Sequence, residues 1–410
     1  MSKRFNFQNF FSTKSTLSTI SKLPTHTLYA DRLKFIWKSA FLAYGFDVYS
    51  YTVSRRKEVV MCAMTIIQLI ILLHHTISII YTIAVELSIS KVSFYATLIV
   101  SSFTSVCNLW AMYRMRFGLA KLLHNAIDHL KDNTQCLKKL WLWSLIGCGC
   151  LSIMSFIEML CGVVDVLTQD NIVIYNYTCV YLFGLKLAEE DLYIARGIIA
   201  FEFFVILLLT GVFVNISVSF FIHLCHMLFY QFKQLNENFL RVLKSGKPLS
   251  CCDLTEFRKK HQHACETADE LSRFWSPLIV IWLLGFILSL CFDLRALWLK
   301  NSPLFMVGFT IDFVRQLWLL VSLFKVASLV NVEAHKLAEV LVTFSMDKPI
   351  GVNNNSDQML YYVNYMLLSD RLANTRIGIN ASGLFLLNAS SFISMAGTVL
   401  TYVIVLYQSP

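Results

Sequence analysis

The sequence predicts an all-α membrane protein with seven transmembrane helices, a cytosolic N-terminus and an extracellular C-terminus. Three observations support this fold class: an apolar composition, a series of long uncharged runs, and an uneven distribution of Lys and Arg. Of the 410 residues, 56% are hydrophobic and only 15% are charged, whereas about 25% are charged in an average soluble domain. A water-soluble fold of this length has no means of covering so much apolar surface.

The apolar residues fall into seven runs, and each run is long enough for the helix of about 20 residues that crosses a bilayer. Five of the runs contain a long stretch without Asp, Glu, Lys or Arg, and the other two hold isolated charges such as Glu158 and Asp312. We therefore place the predicted spans at 59–85, 92–113, 141–165, 196–224, 276–299, 304–330 and 383–408.

The positions of Lys and Arg predict the orientation, because basic loops resist translocation across the membrane. The segment 1–58 carries ten of them, and the loops 114–140, 225–275 and 331–382 carry six, eight and four. The three alternate loops carry one each. The N-terminal segment and the three basic loops are therefore predicted to be cytosolic.

The loop 166–195 carries a glycosylation signal that agrees with this orientation. Asn176 begins an Asn-Tyr-Thr acceptor sequence, which is modified only on the lumenal side of the membrane. The net charge of +9 is explained by the basic cytosolic loops, so the sequence predicts a lipid bilayer and no nucleic acid as a partner.

The cytosolic loops are themselves predicted to be helical. An apolar stripe with helical spacing continues from the fourth span into 225–275, where Gly246 and Pro248 end one helix and a second begins near Ser250. Two such helices form a hairpin that projects about 30 Å, at 1.5 Å per residue. With the helical parts of 331–382, this hairpin forms either an intramolecular coiled coil or a platform for subunit assembly.

No catalytic or cofactor-binding signature is present in the sequence. It lacks the phosphate-binding pattern G-x-x-x-x-G-K, the zinc motif H-E-x-x-H and the nucleophile motif G-x-S-x-G. His223 and His226 lie three residues apart on one helix face, but no further ligand pair has a recognisable zinc spacing. The sequence therefore predicts neither an enzyme nor a metal or cofactor site.

Ionisable residues inside the predicted spans indicate a binding site, because a charge in lipid is costly and has to face a cavity or a partner. With the predicted orientation, most of them fall at one level in the outer half of the membrane. The candidate ligand-pocket residues are His74, His75, Glu158, Glu202, Asp293, Arg295 and Asp312. The alternative is structural pairing, of Asp312 with Arg315 on one helix and of Asp293 with Arg295 across helices.

The last predicted span, 383–408, carries a polar stripe although it contains no charge. The stripe recurs at spacings of three and four residues, so that its members share one helix face. These residues are Ser391, Ser394, Thr398, Thr401, Val405 and Gln408. Such a face is unfavourable in contact with lipid. It is either a seam for helix packing or, with several copies around an axis, the lining of a pore.

The end of the chain resembles the C-terminal signature of the insect gustatory receptor family. That signature is Thr-Tyr, five mostly hydrophobic residues and Gln-Phe, and Thr401, Tyr402 and Gln408 occupy the matching positions here. The upstream run 383–388, Gly-Leu-Phe-Leu-Leu-Asn, is also similar to the last span of that family. Length, number of spans and the short outer tail resemble the family over the whole chain.

Two positions bear on the place of this chain within the family that it resembles. Ser409 stands where the signature has Phe. Val403 directly follows Thr-Tyr, where the sugar-receptor branch tends to carry Glu. The resemblance therefore implies a non-sugar branch.

The resemblance implies a ligand-gated, non-selective cation channel that is related to insect odorant receptors and assembles as a homo- or hetero-tetramer. It implies a six-helix ligand-binding bundle at 59–330, an anchor at 331–382 and a pore-lining helix at 383–408. The implied ligand is a small-molecule tastant, such as a bitter compound or a contact pheromone. The implied location is the plasma membrane of chemosensory neurons, and no cofactor is implied.

Two other protein classes are alternatives to a channel. A G-protein-coupled receptor also has seven spans, but its outer N-terminus opposes the distribution of basic residues. That class usually has proline-kinked spans, whereas only Pro277 touches a predicted span here. A secondary transporter predicts paired repeats and interrupted helices near the middle of the membrane, and the sequence contains no such repeat.

Overall fold

The structure, a computed structural model, is helical over most of its length. It describes residues 25–47, 55–85, 89–131, 133–168, 170, 191–244, 251–298, 303–338, 355–374 and 377–408. The helices of this part are α1 (Thr25–Leu42), α2 (Arg55–Val85), α3 (Ile89–Asp128), α4 (Thr134–Thr168), α5 (Leu192–Leu207), α6 (Phe213–Lys244), α7 (Cys251–Trp298), α8 (Pro303–His335), α9 (Asn355–Asn374) and α10 (Ala389–Gln408). A π-helical turn (Leu208–Val212) joins α5 to α6, and an antiparallel hairpin of β1 (Asn380–Ala381) and β2 (Phe385–Leu386) precedes α10.

Six helical segments of the described chain are long and apolar enough to cross a membrane. They are Arg55–Tyr81, Ala96–Asp128, Thr134–Thr168, Leu192–Lys244, Cys252–Arg295 and Met306–His335. α10 is a further, shorter apolar helix, whose apolar part is Ala389–Val405. The helical membrane fold predicted from the composition is therefore confirmed, with six long helices and α10 in the order of the seven predicted spans.

Several helices continue well beyond the predicted span boundaries. α3 has 40 residues and α7 has 48, which corresponds to about 60 and 70 Å of helix. The hydrocarbon core of a bilayer is only about 30 Å thick. Both helices therefore extend outside the membrane. The extension of α3 carries Arg114, Arg116 and Lys121, and that of α7 carries Arg258, Lys259, Lys260 and Arg273.

The extensions of α6 and α7 pack with the end of α8 and with α9. Their shared apolar cluster consists of Phe239, Leu254, Phe257, Leu337, Tyr365, Leu368 and Leu372. The rings of Phe239 and Phe257 are 4.2 Å apart between centroids. Asn364 of α9 donates a hydrogen bond to Thr255 of α7 at 3.2 Å. This second cluster keeps the extensions together outside the main core.

α1 packs inside the bundle, although its residues belong to the segment 1–58 that the sequence places in the cytosol. Its buried face consists of Ala30, Leu33, Trp37 and Phe41. The Trp37 ring meets Phe220 edge-on at 5.0 Å, and Phe46, just after α1, stacks on Phe213 at 5.6 Å. Phe213 lies within the fourth predicted span, so the end of α1 reaches the depth of the membrane-spanning helices.

A buried polar contact ties three central helices together. Asn108 of α3 donates to the hydroxyl of Ser217 on α6 at 3.0 Å, and its side-chain oxygen accepts from the indole N–H of Trp282 on α7 at 3.1 Å. Buried polar groups need such partners where water is excluded. The contact therefore fixes the rotation of α3, α6 and α7 relative to one another.

Candidate functional site

A cavity of about 110 Å³ lies within the bundle, and α2 to α8 all contribute to its wall. Its apolar wall includes Leu98, Phe203, Phe286 and Phe309. Its polar end includes Ser102, Glu158, Asp312, Arg315 and Gln316. A concave, mostly apolar space with a few convergent polar groups is typical of a small-molecule binding site.

Arg315 of α8 is at the centre of the polar end. Its side chain is only 4% exposed. Its guanidinium donates to the carboxylate of Glu158 on α4, to that of Asp312 one turn earlier in α8, and to the hydroxyl of Ser155 at 3.1 Å. A buried charge requires partners of this kind, because moving it out of water is costly. The ion pairs therefore tie α4 to α8 beside the cavity.

Gln316 extends this charged cluster to α7. Its amide nitrogen donates to Asp312 Oδ2 at 2.8 Å and to Asp293 Oδ2 at 3.5 Å. Asp293 is fully buried and lies behind Gln316, outside the set of residues that line the cavity. The cluster therefore contains one guanidinium and three carboxylates, and the carboxylates come from α4, α7 and α8.

The cavity wall contains three of the seven predicted pocket residues, namely His75, Glu158 and Asp312. Asp293 joins them only through Gln316. His74 and Glu202 do not line the cavity, and their Nδ1 and Oε1 atoms are 3.0 Å apart in a separate pair. Arg295 is also outside the lining set. The residues predicted to lie together at one depth of the membrane therefore occupy different places in the structure: some line the cavity, and His74 and Glu202 form a separate pair.

Nine polar residues that line the cavity are absent from the predicted set: Thr97, Ser101, Ser102, Thr104, Thr210, Asn215, Ser289, Arg315 and Gln316. Arg315 was assigned only to pairing with Asp312, and that pair is present even though both residues also line the cavity. Gln316 is four residues after Asp312, on the same helix face, so its spacing contained a usable signal. Ser102 is uncharged within an apolar run, and nothing in the sequence distinguishes it from other span serines.

The π-helical turn between α5 and α6 forms part of the cavity wall, through Thr210 and Gly211. A π turn disturbs the regular helix ladder and is frequent at functional sites. Two of its carbonyls accept side-chain hydrogen bonds: Leu208 O from the Tyr44 hydroxyl at 3.3 Å, and Thr210 O from the Ser105 hydroxyl at 3.5 Å. Because Tyr44 lies two residues after α1, the N-terminal segment contacts the π-helical turn that forms part of the cavity wall.

The predicted polar face of α10 points away from the rest of the chain. Phe392 and Met395 of α10 pack against the main core, and Val399 and Val403 on the same side are half-buried. The exposed members of the polar face are Ser394, Thr398, Thr401, Val405 and Gln408. This face is therefore accessible to water or to another copy of the chain.

Hydroxyl groups on the polar face of α10 bond to the chain itself. Asn388 Oδ1 accepts from the Ser391 N–H at 2.9 Å, and Ser391 Oγ accepts from the Asn388 N–H at 3.0 Å. This reciprocal pair caps the start of α10. The hydroxyls of Thr398 and Thr401 donate to carbonyls one turn earlier, at 3.1 and 2.9 Å. Since their protons are used within the helix, these threonine oxygens present lone pairs outward.

α8 connects the cavity to the segment that precedes α10. Near its end, the Asn331 amide donates to Ile377 O at 2.6 Å, and His335 Nε2 accepts from the Ile377 N–H at 3.3 Å. Midway along α8, the rings of Phe324 and Phe392 of α10 are 5.4 Å apart. One continuous helix therefore carries cavity residues and also contacts the last helix.

Some predicted features lie outside the described residues. These are the glycosylation acceptor Asn176, the helix-breaking residues Gly246 and Pro248, and Ser409 after α10. Their roles stay predictions.

Comparisons with known proteins agree on one family. Residues 34–409 match the family described as 7tm chemosensory receptor. Among solved structures, the insect olfactory receptor OR5 from Machilis hrabei in complex with eugenol is similar, with a TM-score of 0.66 and 16% identity over 93% of this chain and 98% of that chain. A second structure of OR5 from Machilis hrabei has a TM-score of 0.66 and 15% identity over 93% of this chain and 97% of that chain. No curated protein sequence gives a significant match.

The likeness to OR5 shows a shared fold, and the family match runs from within α1 to just beyond α10. The resemblance to insect chemosensory receptors that was predicted from the last residues is confirmed at this level. The prediction that the chain is not an enzyme is confirmed by the same family match. The chain belongs to the 7tm chemosensory receptor family.

Proposed function

We propose that the chain is a gustatory receptor that acts as a ligand-gated, non-selective cation channel in the plasma membrane of chemosensory neurons. Four copies of α10, from identical or related subunits, surround the pore. The observation that carries the proposal is the polar face of α10, which the rest of the chain leaves exposed. A polar face is unfavourable in lipid, and a tetramer turns it towards a water-filled axis.

In the proposed pore, each residue of the polar face has a position along the axis. Gln408 side chains form the narrow outer mouth, and Val405 forms an apolar collar one turn further in. Thr401 and Thr398 line a wetter path towards the cytosol. The outward lone pairs of these threonines favour cations, because oxygen atoms replace part of the hydration shell of a cation.

We assign the cavity between α2 and α8 to a small-molecule tastant of the non-sugar kind. The similar OR5 receptor was solved in complex with eugenol, and the same fold here encloses a cavity with an apolar wall and a charged end. Ligand binding acts on α10 through α8, which carries Asp312 and Arg315 at the cavity and Asn331 and His335 at the other end. A displacement of α8 therefore changes the cavity and also the contacts with the segment before α10.

Tetramer assembly is supported by an exposed apolar surface on α9. Its residues are Met359, Val363, Met366 and Leu367, which are between 44% and 70% exposed. Contiguous apolar surface outside the membrane usually marks an interface. We infer that this surface packs against a neighbouring subunit, in the anchor predicted at 331–382.

The channel function is tested by expressing the full chain in a non-neuronal cell and recording current during a screen of bitter and other non-sugar tastants. We expect a cation current that persists when G-protein signalling is inhibited. A response that disappears with the inhibitor would support a G-protein-coupled receptor instead.

The orientation gives a separate prediction. An N-terminal tag is expected to bind antibody only after permeabilisation, and Asn176→Gln is expected to remove the glycan from the loop 166–195, because the basic loops hold the N-terminus inside. Immunofluorescence and a glycosidase gel shift measure these two outcomes. Staining of the tag on intact cells would contradict the channel proposal as a whole.

A space-filling change in the cavity gives a second prediction. A methyl group at Gly162 would overlap the ring of Phe203, and both residues line the cavity. Gly162→Ala therefore pushes Phe203 into the ligand space, and we expect the activating concentration to rise roughly tenfold, or about 1.4 kcal/mol. Dose–response currents measure this shift.

The matched control is Gly149→Ala on the same helix, where an added methyl group meets no atom within 4 Å. This control is expected to keep the wild-type dose–response curve and the same surface expression. Equal curves for both alanine variants and the wild type would mean that the ligand binds elsewhere.

A further inference from the structure

We propose that the cavity selects ligands that carry a protonated amine, which is held by Glu158 and Asp312. This inference rests on the proposed function in one respect, namely that the cavity is the ligand site. It adds the chemical class of the ligand, which follows from the charge, exposure and hydrogen bonding of the cluster around Arg315.

The cluster contains more acidic than basic side chains. Among the Asp, Glu, Lys and Arg side chains of the described residues that line the cavity, two are acidic, Glu158 and Asp312, and one is basic, Arg315. Asp293 adds a third carboxylate behind Gln316. Buried charges of one sign require compensation from within the site. A cationic ligand group supplies compensation that the chain itself does not contain at this point.

The acidic groups are also the more accessible part of the cluster. The side chains of Glu158 and Asp312 are 14% and 13% exposed, whereas that of Arg315 is 4% exposed. All three side chains line the cavity, and the two carboxylates are the more exposed of them. A ligand in the cavity therefore has carboxylate oxygen within reach.

The hydrogen bonds of the cluster leave acceptors in excess. Arg315 donates to Ser155, Glu158 and Asp312, and Gln316 donates to two carboxylates. A carboxylate has about four lone-pair sites, so these donors fill only part of the acceptor capacity.

Buried atoms without a hydrogen-bond partner in the described structure repeat this excess. Around Arg315 these are two acceptor oxygens, Asp293 Oδ1 and Gln316 Oε1, against one donor nitrogen, Arg315 Nε. The buried hydroxyl of Ser102 in the cavity wall, which can both donate and accept, is also without a partner. An alkylammonium group carries donors and no acceptor, and like that of Lys it stays protonated near neutral pH. It therefore complements this end of the cavity, whereas a carboxylate ligand adds acceptors and repulsion.

The apolar part of the cavity defines the rest of the ligand. Phe203, Phe286 and Phe309 contribute aromatic surface to the wall. The volume of about 110 Å³ is of the order of the engineered cavity of ~150 Å³ that admits benzene. The expected ligand is therefore a single aromatic ring with a short amine-bearing chain.

The experiment compares three probes with the same ring and chain but different charge: phenethylamine, phenethyl alcohol and hydrocinnamate. Full-length receptor is purified in detergent, and the ligand-induced rise in Tm is titrated, since ligand that binds only the folded state raises Tm. This readout does not depend on channel opening. Currents recorded with the same probes test the channel proposal separately, so that either proposal can fail alone.

The variants are Asp312→Asn and Asp293→Asn, with Glu202→Gln as the control outside the cavity. Asp293→Asn lowers the acidic excess but leaves both ion pairs of Arg315 in place, so it remains informative if Asp312→Asn fails to fold. We expect phenethylamine to bind at least about tenfold tighter than phenethyl alcohol, the typical gain from a hydrogen bond to a charged group. Asp312→Asn is expected to remove most of this difference, Asp293→Asn a measurable part of it because the acidic excess is smaller, and the control none of it.

Several results would overturn the proposal. They are a phenethyl alcohol or hydrocinnamate affinity equal to that of phenethylamine, no rise in Tm with any probe, and an unchanged preference for the amine in Asp293→Asn. A preference for the amine that is lowered in Asp293→Asn and kept in Glu202→Gln supports the proposal, whether or not the probes open a channel.

Discussion

Arg315→Leu is expected to abolish surface expression of the receptor. The substitution leaves Glu158 and Asp312 facing each other without the guanidinium that pairs with both. Breaking a buried ion pair by removing one partner costs about 3–5 kcal/mol, a large part of the roughly 5–15 kcal/mol that stabilises a typical fold. Surface biotinylation and the Tm of the purified protein measure the loss.

Two further variants separate charge from shape at this position. Arg315→Lys is expected to fall between wild type and Arg315→Leu, because a single ammonium group cannot bridge two carboxylates as a planar guanidinium does. Adding Glu158→Gln and Asp312→Asn to Arg315→Leu is expected to restore part of the expression, because the two carboxylates that lose Arg315 are then neutral amides.

Lys325→Leu is the matched control, since it removes an exposed charge from the same helix. This control is expected to keep wild-type expression. Near-normal expression and Tm of Arg315→Leu would mean that the two carboxylates do not depend on Arg315, and the guanidinium would then not be the centre of the cluster.

Cysteine substitutions on α10 are expected to have the second large effect. Thr401→Cys and Val405→Cys place a thiol on the exposed polar face. A positively charged methanethiosulfonate applied with agonist is then expected to block most of the current, because it attaches a bulky cation inside a pore lined by four copies. Whole-cell recording during reagent application measures the block.

The controls are Val399→Cys and Val403→Cys, on the half-buried side of α10 that faces the bundle. These variants are expected to keep their current, because the reagent reaches this side poorly. Equal modification of both sides, or no modification of Thr401→Cys in a receptor that still conducts, would exclude α10 as the pore lining.

The cavity and the pore helix differ in how far sequence reasoning could reach. The shared face of the α10 residues could be predicted from the sequence, since its members belong to a single helix and the spacing of 3.6 residues per turn fixes their common side. The cavity residues come from seven α-helices and the π-helical turn. The predicted set contained some of these residues together with His74, Glu202 and Arg295, which lie outside the cavity. Depth in the membrane follows from the sequence, but the direction in which each side chain points does not.

The insertion of α1 shows a second limit. Its buried residues Leu33, Trp37 and Phe41 recur at helical spacing, which was a readable signal. Charged residues such as Asp31 and Arg32, just before Leu33, lower the average hydropathy of α1 below that of a membrane span. Because those charges lie on the exposed side of α1, the apolar side of α1 still packs against α6.

The sequence by itself determined the class of this protein. Hydropathy and length specify the helices, because a bilayer demands about 20 apolar residues per crossing. The positions of Lys and Arg predict an orientation, and the last residues carry the resemblance to the family. All of these properties are local to a segment, so they can be read without knowing which segments are neighbours.

Only the tertiary structure decided how the polar residues of different helices meet. Arg315 reaches Glu158 because α8 packs against α4 with one particular rotation, and Gln316 reaches Asp293 because α7 lies on the other side. Rotation and neighbourhood depend on how all side chains of the bundle interlock, and a close-packed interior admits few such arrangements. The physical reason is that a helix fixes the spacing of its own residues, whereas its partners are chosen by the packing of the whole chain.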